Sequence, residues 1–335
     1  MKALYINEKL NISVVEKPIP EPGDTEVRVK ISHFGICGSD LHYYYDGANG
    51  AFLVKEPLMP GHEVAGYIDL DPSGEFEKGS AVTIHPATFG KSEAGLEDQP
   101  HLWPGGAYLG SASTWPHTQG AAAEYVIFRK DMVRVLPANL TTKVATLAEP
   151  LAVGLHAINV SGGVSGKKIF VSGSGPIGLL LIAAAKSLGA SEIASSDLLD
   201  GPLTRAKNLG AVTSIKIGND VLPENYFDIV FECSGVAQAI SGALTAVRRG
   251  GVVVQVGMLG AQGHEIAIAP LVSKEIQLRG TFRFKDEIDA AIRMLADNPW
   301  IASIITHTYG LNDAVEAFAM AKNSEESGKV LIELS

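Results

Sequence analysis

One short segment, FGICGSDLHY at residues 34–43, brings together side chains that can bind a metal or carry a proton. It contains Cys37, one of only two cysteines in the chain, followed by Ser39, Asp40 and His42. Thiolate and imidazole groups are preferred zinc ligands, and a catalytic zinc site usually has three protein ligands and one open position. A cysteine taken alone is more often a small buried residue, so the metal interpretation of Cys37 requires partners.

Candidate partners of Cys37 lie far along the chain. The segment PGHEVAG supplies His62 and Glu63, and the segment LAEPLAVG supplies Glu149. With Cys37 they offer the sulfur, nitrogen and oxygen donors that zinc takes. Because these residues are dispersed, their spacing alone does not identify a metal site. The second cysteine, Cys233, lies in the apolar segment FDIVFECSG and is interpreted as a buried structural residue.

A glycine-rich run, GSGPIG at residues 173–178, is the second chemical motif. It follows an apolar strand and opens a helical segment, which is the context of a dinucleotide-binding turn. Its glycines permit the tight turn, the approach of a pyrophosphate and close helix–strand packing, and the helix N-terminus offers N–H groups to phosphates. Asp197 ends the next predicted strand, where a carboxylate would bind the ribose 2′-hydroxyl. The predicted cofactor-binding residues here are Gly173, Gly175, Pro176, Ile177, Gly178 and Asp197.

Asp197 also favours NAD over NADP, because a carboxylate repels a 2′-phosphate. At contact this repulsion is about 4 kcal/mol per unit charge at an effective dielectric constant of about 20. Arg205 would offset it if its guanidinium reached the phosphate, and a solvated helix residue is the other interpretation of Arg205. We therefore expect NAD, with NADP as the alternative cofactor.

The elements that must position these residues are of two kinds. Short strand-like runs separated by Gly, Pro and Asp fill residues 1–149 and indicate a mostly antiparallel β region. From about residue 150, apolar strands alternate with helices, which predicts a parallel sheet covered on both faces. The final apolar strand, KVLIEL, fits the β-rich part better. The sequence therefore predicts an α/β protein with a β-rich catalytic domain, residues 1–149 and 284–335, and an inserted doubly wound parallel-sheet domain, residues 150–283.

Two further segments are assigned from the same pattern. Residues 86–120 are expected to be loop-like, because they are rich in Gly, Ser, Thr and Pro. The segment AQAISGALTAVRRG at 237–250 is predicted to be a helix, followed by the strand GVVVQVG.

Composition excludes several classes of protein. The 335 residues carry a formal charge of −10, which argues against a nucleic-acid partner. Two cysteines cannot form a disulfide framework. The N-terminal MKALYINEKL lacks the apolar core of a signal peptide, and no apolar stretch of about 18 residues suits a membrane-spanning helix. We expect a cytoplasmic protein with no membrane partner.

Five segments stand in the order and spacing of one known family: GICGSDLHYYYDG, PLMPGHEVAG, AEPLAVGLHA, GSGPIG and FRF. In them the chain resembles the zinc-dependent medium-chain alcohol dehydrogenases over essentially its whole length, and it is similar to their polyol dehydrogenase branch. The tract LGSASTWPHTQGAAAEY is similar to the corresponding tract of L-idonate 5-dehydrogenases. The resemblance implies a GroES-like fold for the β-rich domain and a Rossmann fold for the α/β domain.

The resemblance implies a role for each metal candidate. Cys37 and His62 would be zinc ligands, while Glu63 and Glu149 would share or exchange the remaining protein position. Asp40 would hold the far nitrogen of His62, although a turn-forming Asp is the alternative.

The resemblance also implies the catalytic residues. Ser39 and His42 would relay the substrate proton, with a solvated loop histidine as the alternative for His42. Tyr43 would line the substrate pocket, although any of the three tyrosines in HYYYDG fits that role. Arg283 would lie near the zinc-side glutamate, or else be a surface residue. The nicotinamide would lie near four residues, Val256, Gly257, Met258 and Thr281.

One departure from the family concerns its second, structural zinc, which four cysteines hold in the loop after HP. Residues 86–120 contain no cysteine, so we expect one catalytic zinc per chain and no structural zinc. The other ligand-type residues in and beside this lobe are interpreted as solvated: His85, Glu93, Glu97, Asp98, His101 and His117.

The reaction implied is hydride transfer from a secondary alcohol to NAD. A sugar acid is the first expected substrate, as in oxidation of L-idonate to 5-ketogluconate, with Arg283, Lys55 and His117 as candidate partners of its carboxylate. A neutral polyol such as sorbitol or xylitol is the alternative. Alternatives from other classes are a non-catalytic NAD-binding relative and a zinc-free quinone or enone reductase. A homo-oligomer, dimer or tetramer, would pair the strand edges near GGVVVQVG and HEIAIAP.

Overall fold

Two large β-sheets organise the fold, which was obtained as a computed structural model describing residues 1–260 and 262–334. One sheet has seven strands and is mostly antiparallel, and the other has six parallel strands. The parallel α/β unit that the sequence predicts is thereby confirmed.

The first part of the chain is built mainly of strands. Its elements are β1 (Lys2–Glu8), β2 (Asn11–Glu16), β3 (Glu26–Gly35), α1 (Gly38–Asp46), β4 (Ala48–Asn49), β5 (Phe52–Leu53), β6 (Glu63–Leu70), β7 (Ala81–Ile84), β8 (Ala87–Thr88), β9 (Ala107–Tyr108), β10 (Tyr125–Arg129), β11 (Val133–Val135) and α2 (Thr142–Ala145).

Strands and helices alternate from there on. The elements are α3 (Ala148–Ser161), β12 (Lys168–Ser172), α4 (Pro176–Ser187), β13 (Glu192–Asp197), α5 (Asp200–Leu209), β14 (Thr213–Lys216), β15 (Phe227–Glu232), α6 (Ala237–Ala246), β16 (Val247–Gln255), α7 (Ala269–Ser273), β17 (Gln277–Gly280), α8 (Ile288–Asp297), β18 (Ile305–Gly310), α9 (Ala314–Lys322) and β19 (Lys329–Glu333).

The seven-stranded sheet has the order β11-β7-β6-β3-β19-β18, with β10 paired to β3. The last strand, β19, returns from the far end of the chain and pairs antiparallel with β3, with Leu331 opposite Gly35. On its other side β3 pairs with β6, which places Gly35 opposite Glu63. A Cβ at Gly35 would overlap the Glu63 carboxylate, so only glycine leaves room for that side chain.

The parallel sheet has the order β14-β13-β12-β15-β16-β17. This is the doubly wound order: from β12 the following strands are added on one side as far as β14, and from β15 on the other side. Ligands bind outside the carboxyl ends of the parallel strands at the point between β12 and β15. The strands are apolar and buried, as in Ile169 and Val171 of β12 and Val230 and Phe231 of β15. The GSGPIG turn follows β12 and therefore lies at the binding edge of the sheet.

Three details differ from the sequence-based assignment. The helix predicted over 237–250 ends at Ala246, and residues 247–250 open β16 instead, because Val247 is fully buried and pairs with Phe227. The segment 38–46, whose polar composition gave no helical signal, forms α1. The predicted boundary between residues 149 and 150 falls inside α3. The two domain ranges stay a prediction.

The cysteine-free lobe, residues 86–120, is loop-like with the short pair β8–β9. Hydrogen bonds hold it: His85 donates through Nε2 to the Lys285 carbonyl at 2.9 Å, and Trp103 donates to the Leu96 carbonyl at 2.7 Å. His85 is buried, and burial lowers its pKa, which favours the neutral ring. His85 is thus a buried contact rather than the solvated residue expected.

In the part of the chain that the structure describes, no helix combines the length and the apolar character needed to cross a membrane.

The segment that follows Arg283 is fixed by Glu287. One oxygen of this carboxylate accepts hydrogen bonds from His156 Nδ1 at 2.8 Å and Asn159 Nδ2 at 3.0 Å, both on α3. The other accepts from the Lys285 N–H at 2.8 Å. Burial opposes ionisation, but these hydrogen bonds lower the pKa of Glu287 to about 2.

We expect Glu287→Gln to lower the free energy of unfolding at pH 7 by about 2 kcal/mol, somewhat less than the shift of its pKa implies. Because the pKa is lower in the folded protein, the carboxylate stabilises the fold above its ordinary pKa of 4.5 and loses this contribution as the pH falls towards 2. Denaturant unfolding between about pH 3 and pH 7 measures both effects. Glu316→Gln, at an exposed position on α9, is the control. Equal pH dependence in Glu287→Gln and the unmodified protein would contradict the prediction.

Candidate active site

Asp40 ties the two main segments of the site together. It is fully buried in the first turn of α1, where its Oδ2 accepts the Cys37 N–H at 2.9 Å, as a capping residue does. Its Oδ1 accepts the Gly61 N–H at 3.4 Å. The Asp40 carboxylate therefore fixes two backbone segments, one at Cys37 and one at Gly61, which precedes His62.

The prediction that Asp40 accepts a hydrogen bond from the far nitrogen of His62 is wrong. The Asp40 oxygens are directed to backbone N–H groups, and His62 Nδ1, although buried, has no hydrogen-bond partner in the described residues. Asp40 acts on His62 only through its charge.

Three predicted ligands converge. Cys37 Sγ, a His62 ring nitrogen and a Glu63 oxygen all lie within 4.8 Å of one another. His62 is 5% exposed and Glu63 is 1% exposed, while Cys37 is half-buried. Across residues 1–260 and 262–334, this is the one group of three donors that could hold a metal ion.

The charges of this cluster favour the binding of a cation. Burial lowers the pKa of His62, but the neighbouring Cys37, Glu149 and Asp40 raise it well above its usual value. Burial also raises the pKa of Asp40 and of Glu149. Protonation of these groups is therefore favoured, and a divalent ion bound among them would supply the same compensation. The donor set of one thiol, one imidazole and one carboxylate fits zinc.

Glu149, the fourth predicted ligand, lies beside the three-donor group rather than in it. It is buried on α3, and its Oε1 accepts a hydrogen bond from the Tyr108 hydroxyl. Burial and the Glu149 charge raise the pKa of Tyr108 well above its ordinary value, so Tyr108 remains a donor. Tyr108 was missed in the sequence, where nothing distinguishes it from other loop aromatics.

Glu63 has a buried partner that the sequence analysis also missed. Lys329, the first residue of β19, is 2% exposed, and its ammonium lies 2.7 Å from Glu63 Oε1 and 2.6 Å from Oε2. It also donates to the Ile36 carbonyl at 3.1 Å. Burial lowers the pKa of Lys329, but Glu63 and Cys37 outweigh this effect and raise it.

Arg283 lies next to the cluster through Tyr108, whose ring centroid is 5.5 Å from that of His62. Its guanidinium stacks over Tyr108 at 4.2 Å and over Phe282 at 4.7 Å from the ring centroids. Burial lowers the pKa of Arg283, but an arginine remains charged at neutral pH. Within the described residues, Arg283 makes no side-chain hydrogen bond or ion pair, so its fork of donors is available to a ligand.

The candidate proton-relay residues lie along α1. Ser39 is half-buried in the first turn. The His42 side chain is 59% exposed, and its Nδ1 lies 3.0 Å from Asp46 Oδ2. Tyr43 is 1% exposed, and its hydroxyl accepts the Ala112 N–H at 3.0 Å, which attaches α1 to the lobe.

His117 cannot serve as a carboxylate partner while its ring is engaged. Its Nε2 accepts the Lys55 N–H at 2.9 Å, and its Nδ1 donates to the Thr114 carbonyl at 3.1 Å. The Lys55 ammonium lies over the Trp115 ring at 5.9 Å. His117 is buried and structural, which corrects its interpretation both as a solvated residue and as a substrate partner.

The glycine-rich turn has the geometry of a phosphate-binding turn. Gly173 has φ +93°, and a Cβ at Gly178 would overlap the Gly173 carbonyl, so both positions require glycine. A Cβ at Gly175 would meet only open space, where a ligand has room to approach. Pro176 and then Ile177 begin α4.

Asp197 closes the turn from the neighbouring strand. Its Oδ2 accepts the Ser174 N–H at 3.0 Å, and its Oδ1 accepts the N–H groups of Leu198 at 2.8 Å and Leu199 at 3.1 Å. The carboxylate is therefore fixed at the end of β13, next to Gly175.

The residues predicted to face the nicotinamide follow β16 and β17. Val256 and Gly257 each donate a backbone hydrogen bond of 2.8 Å to the Glu232 carbonyl. Met258 is 67% exposed, and the buried Thr281 hydroxyl has no partner among the described residues. Glu232 itself, fully buried at the end of β15, accepts from the Gly235 N–H at 3.0 Å and was missed in the sequence.

Comparison with known proteins gives consistent matches. A family model described as "Alcohol dehydrogenase GroES-like domain" matches residues 23–138, and one described as "Zinc-binding dehydrogenase" matches residues 176–297. The L-idonate 5-dehydrogenase (NAD(P)(+)) of Escherichia coli strain K12 is 36% identical over 331 residues, covering 96% of this chain and 95% of that protein. A sorbitol dehydrogenase of Gallus gallus is 33% identical and covers 96% and 94%. The crystal structure of the Escherichia coli L-idonate 5-dehydrogenase superimposes with a TM-score of 0.94 at 35% identity, covering 99% and 98%.

Cys37→Ser is expected to remove most of the bound zinc, because serine replaces the soft sulfur donor with a poor ligand. Elemental analysis after gel filtration should give about one zinc per chain for the unmodified protein and less than about a tenth of that for the variant. Cys233→Ser is the matched control. Burial raises the pKa of the Cys233 thiol, so this cysteine stays protonated and should not affect the metal. Full zinc content in Cys37→Ser would refute the assigned cluster.

Proposed function

Because the chain belongs to the zinc-dependent medium-chain alcohol dehydrogenases and is thus an NAD(P)-dependent oxidoreductase, we propose that it oxidises a secondary hydroxyl of a sugar acid with NAD as hydride acceptor. L-idonate, oxidised to 5-ketogluconate, is the first candidate. The observation that carries this proposal is the unpaired Arg283 guanidinium beside the Cys37–His62–Glu63 cluster.

Arg283 favours an anionic substrate. A guanidinium binds a carboxylate through two parallel hydrogen bonds, and such charge-assisted pairs are the strong ones. Stacking on Tyr108 and Phe282 restricts its orientation, so little conformational entropy would be lost on binding. Lys55 lies against Trp115 and the ring nitrogens of His117 are engaged, which leaves Arg283 as the strongest of the three candidates.

A neutral polyol is the second candidate. Sorbitol dehydrogenases cover nearly the whole chain at about a third identity, and the Gallus gallus protein is one example. Hydroxyl groups can also bind to an arginine, although more weakly than a carboxylate does. A substrate panel therefore decides between the two classes.

The proposed metal ligands are Cys37, His62 and Glu63, with Glu149 able to share the third protein position. When bound there, zinc supplies Lewis acidity that lowers the pKa of a coordinated hydroxyl from about 16 towards about 7. Lys329 pairs with Glu63, and Tyr108 donates to Glu149, so both carboxylates have a defined partner within the protein.

Proton release is proposed to follow α1. Ser39 would accept the proton from the substrate hydroxyl and pass it towards His42, which is exposed and hydrogen-bonded to Asp46. Tyr43 would support this face of the site, because its hydroxyl connects α1 to Ala112 of the lobe. Closure of the cleft between the two sheets would exclude water from the hydride-transfer step.

The proposed cofactor site uses the turn at residues 173–178, Asp197, the strand ends at residues 256–258 and Thr281. The unpartnered Thr281 hydroxyl and the open space at Gly175 fit a dinucleotide. Asp197 favours NAD over NADP through repulsion of a 2′-phosphate.

A single zinc per chain is proposed, because the lobe at residues 86–120 has no cysteine and His85 and Trp103 hold it by hydrogen bonds. We further propose a cytoplasmic homo-oligomer, either a dimer or a tetramer, in which the edge strand β17 takes part.

With purified protein and NAD, we expect kcat/KM for L-idonate to exceed that for sorbitol and xylitol. Arg283→Gln should lower kcat/KM for L-idonate by about 30- to 100-fold, because it removes a charge-assisted pair, and change that for sorbitol by less than about threefold. Initial rates of NADH formation measure both. Arg293→Gln, at an exposed position of α8, is the control. If the enzyme oxidises neutral polyols but shows no turnover of sugar acids, the first candidate is rejected.

Asp197→Asn should raise kcat/KM for NADP relative to NAD by about 10- to 100-fold, since it removes the negative charge but keeps an oxygen acceptor; solvent and salt reduce the effect below the contact value. Steady-state kinetics with each cofactor give the ratio. Asp200→Asn removes the same charge three residues later, at the start of α5, where Asp200 pairs with Lys216 at 2.5 Å. This control should leave the NADP-to-NAD ratio near that of the unmodified protein. An unchanged ratio in Asp197→Asn would show that this carboxylate does not select the cofactor.

A further inference from the structure

A pocket at the junction of the two sheets is walled by residues from distant parts of the chain. Its volume is about 250 Å³. One wall consists of the glycine-rich turn, Asp197 and the start of α5, and the opposite wall is the turn between α9 and β19, residues 323–328. A ligand at Asp197 would therefore also contact the C-terminal part of the chain.

Arg205 holds these two walls together. It lies on α5, eight residues after Asp197, and donates through Nη1 to the Glu325 carbonyl at 3.1 Å and through Nη2 to the Ser324 carbonyl. Its Nε is buried and has no partner in the described residues. The guanidinium forms no ion pair with Asp197 in the described structure, although their charges interact.

The surrounding backbone is shaped to this contact. The Gly201 N–H donates to Glu325 Oε1 at 3.1 Å, and a Cβ at Gly201 would overlap the Glu325 carbonyl. Gly201 thus allows α5 and the 323–328 turn to approach closely enough for the arginine to reach both carbonyls.

We propose that Arg205 is a positioning residue that latches the 323–328 turn onto α5 and so completes the pocket for the adenosine half of the dinucleotide, and that it is not a ligand of a 2′-phosphate. This inference rests on the proposed dinucleotide site. The reason is geometric: hydrogen bonds from both terminal nitrogens turn the guanidinium towards the carbonyl oxygens of the turn, so these two N–H groups become available to a 2′-phosphate only when that wall opens.

This role of Arg205 predicts which part of the cofactor binds more weakly when Arg205 is replaced. Opening the far wall removes contacts from adenosine whether or not a 2′-phosphate is present. A direct phosphate ligand, in contrast, would matter only for the phosphorylated form. The two roles therefore separate when 5′-AMP and 2′,5′-ADP are compared as probes, because they differ only in the 2′-phosphate.

Calorimetric binding of 5′-AMP and 2′,5′-ADP to the purified protein tests the proposal. Arg205→Gln should weaken both probes by a similar factor of about 5 to 20, and Arg205→Lys, which can still donate to a carbonyl, should recover most of the affinity. Lys207→Gln removes the same charge from an exposed position on α5 and should change neither. Amide hydrogen exchange at residues 326–328 should become faster in Arg205→Gln and stay unchanged in Lys207→Gln.

A second variant keeps the arginine and disturbs the wall. Gly201→Ala introduces a methyl group that must displace the Glu325 carbonyl, so it should weaken both probes alike and speed exchange at residues 326–328. A loss confined to 2′,5′-ADP in Arg205→Gln would overturn the proposal and make Arg205 a phosphate ligand. Unchanged affinity and exchange in both variants would also overturn it. If the unmodified protein binds neither probe nor NAD, the dinucleotide site itself fails, and the latch fails with it.

Discussion

The constraint on which the site depends is the burial of three carboxylates within one small volume, next to the half-buried Cys37 thiol. Asp40, Glu63 and Glu149 are each at most 5% exposed, and an uncompensated charge in such surroundings costs several kcal/mol. The protein compensates the charges of these three carboxylates to different extents. Asp40 accepts backbone N–H groups and Glu63 has an ammonium partner, whereas Glu149 has only a phenol. What remains uncompensated lies around Cys37 and His62, where we propose that a metal ion binds.

The same constraint explains why the β-rich sheet is closed by the end of the chain. Lys329 can reach Glu63 only because β19 returns to pair with β3, on the opposite side of β3 from β6. Gly35 leaves room for the carboxylate between them. The parallel sheet is inserted before this return, so a correctly paired C-terminal strand is a condition for a correctly compensated site.

Much of this architecture was readable in the sequence because it depends on local patterns. The family, the parallel sheet, the apolar strands and the glycine turn all follow from periodicity or from motifs such as GHE and GxGxxG. Helix α1 was not predicted because its residues are polar and because its capping residues, Cys37 and Asp40, resemble a metal motif instead. Lys329, Tyr108 and Glu232 were missed because their importance comes from burial against residues far away in the chain, which no local pattern records.

The two arginines of the cleft differ in a way that bears on the chemistry of its ligands. Arg205, at the proposed adenosine end, directs its donors to the carbonyls of Ser324 and Glu325. Arg283, at the metal end, stacks on aromatic rings and keeps its donors unpaired. A cation whose donors are engaged attracts an anion less than one whose donors are open, because binding must first break existing hydrogen bonds. This difference between the two arginines supports both parts of the proposal, an anionic substrate near Arg283 and a cofactor without a 2′-phosphate near Arg205.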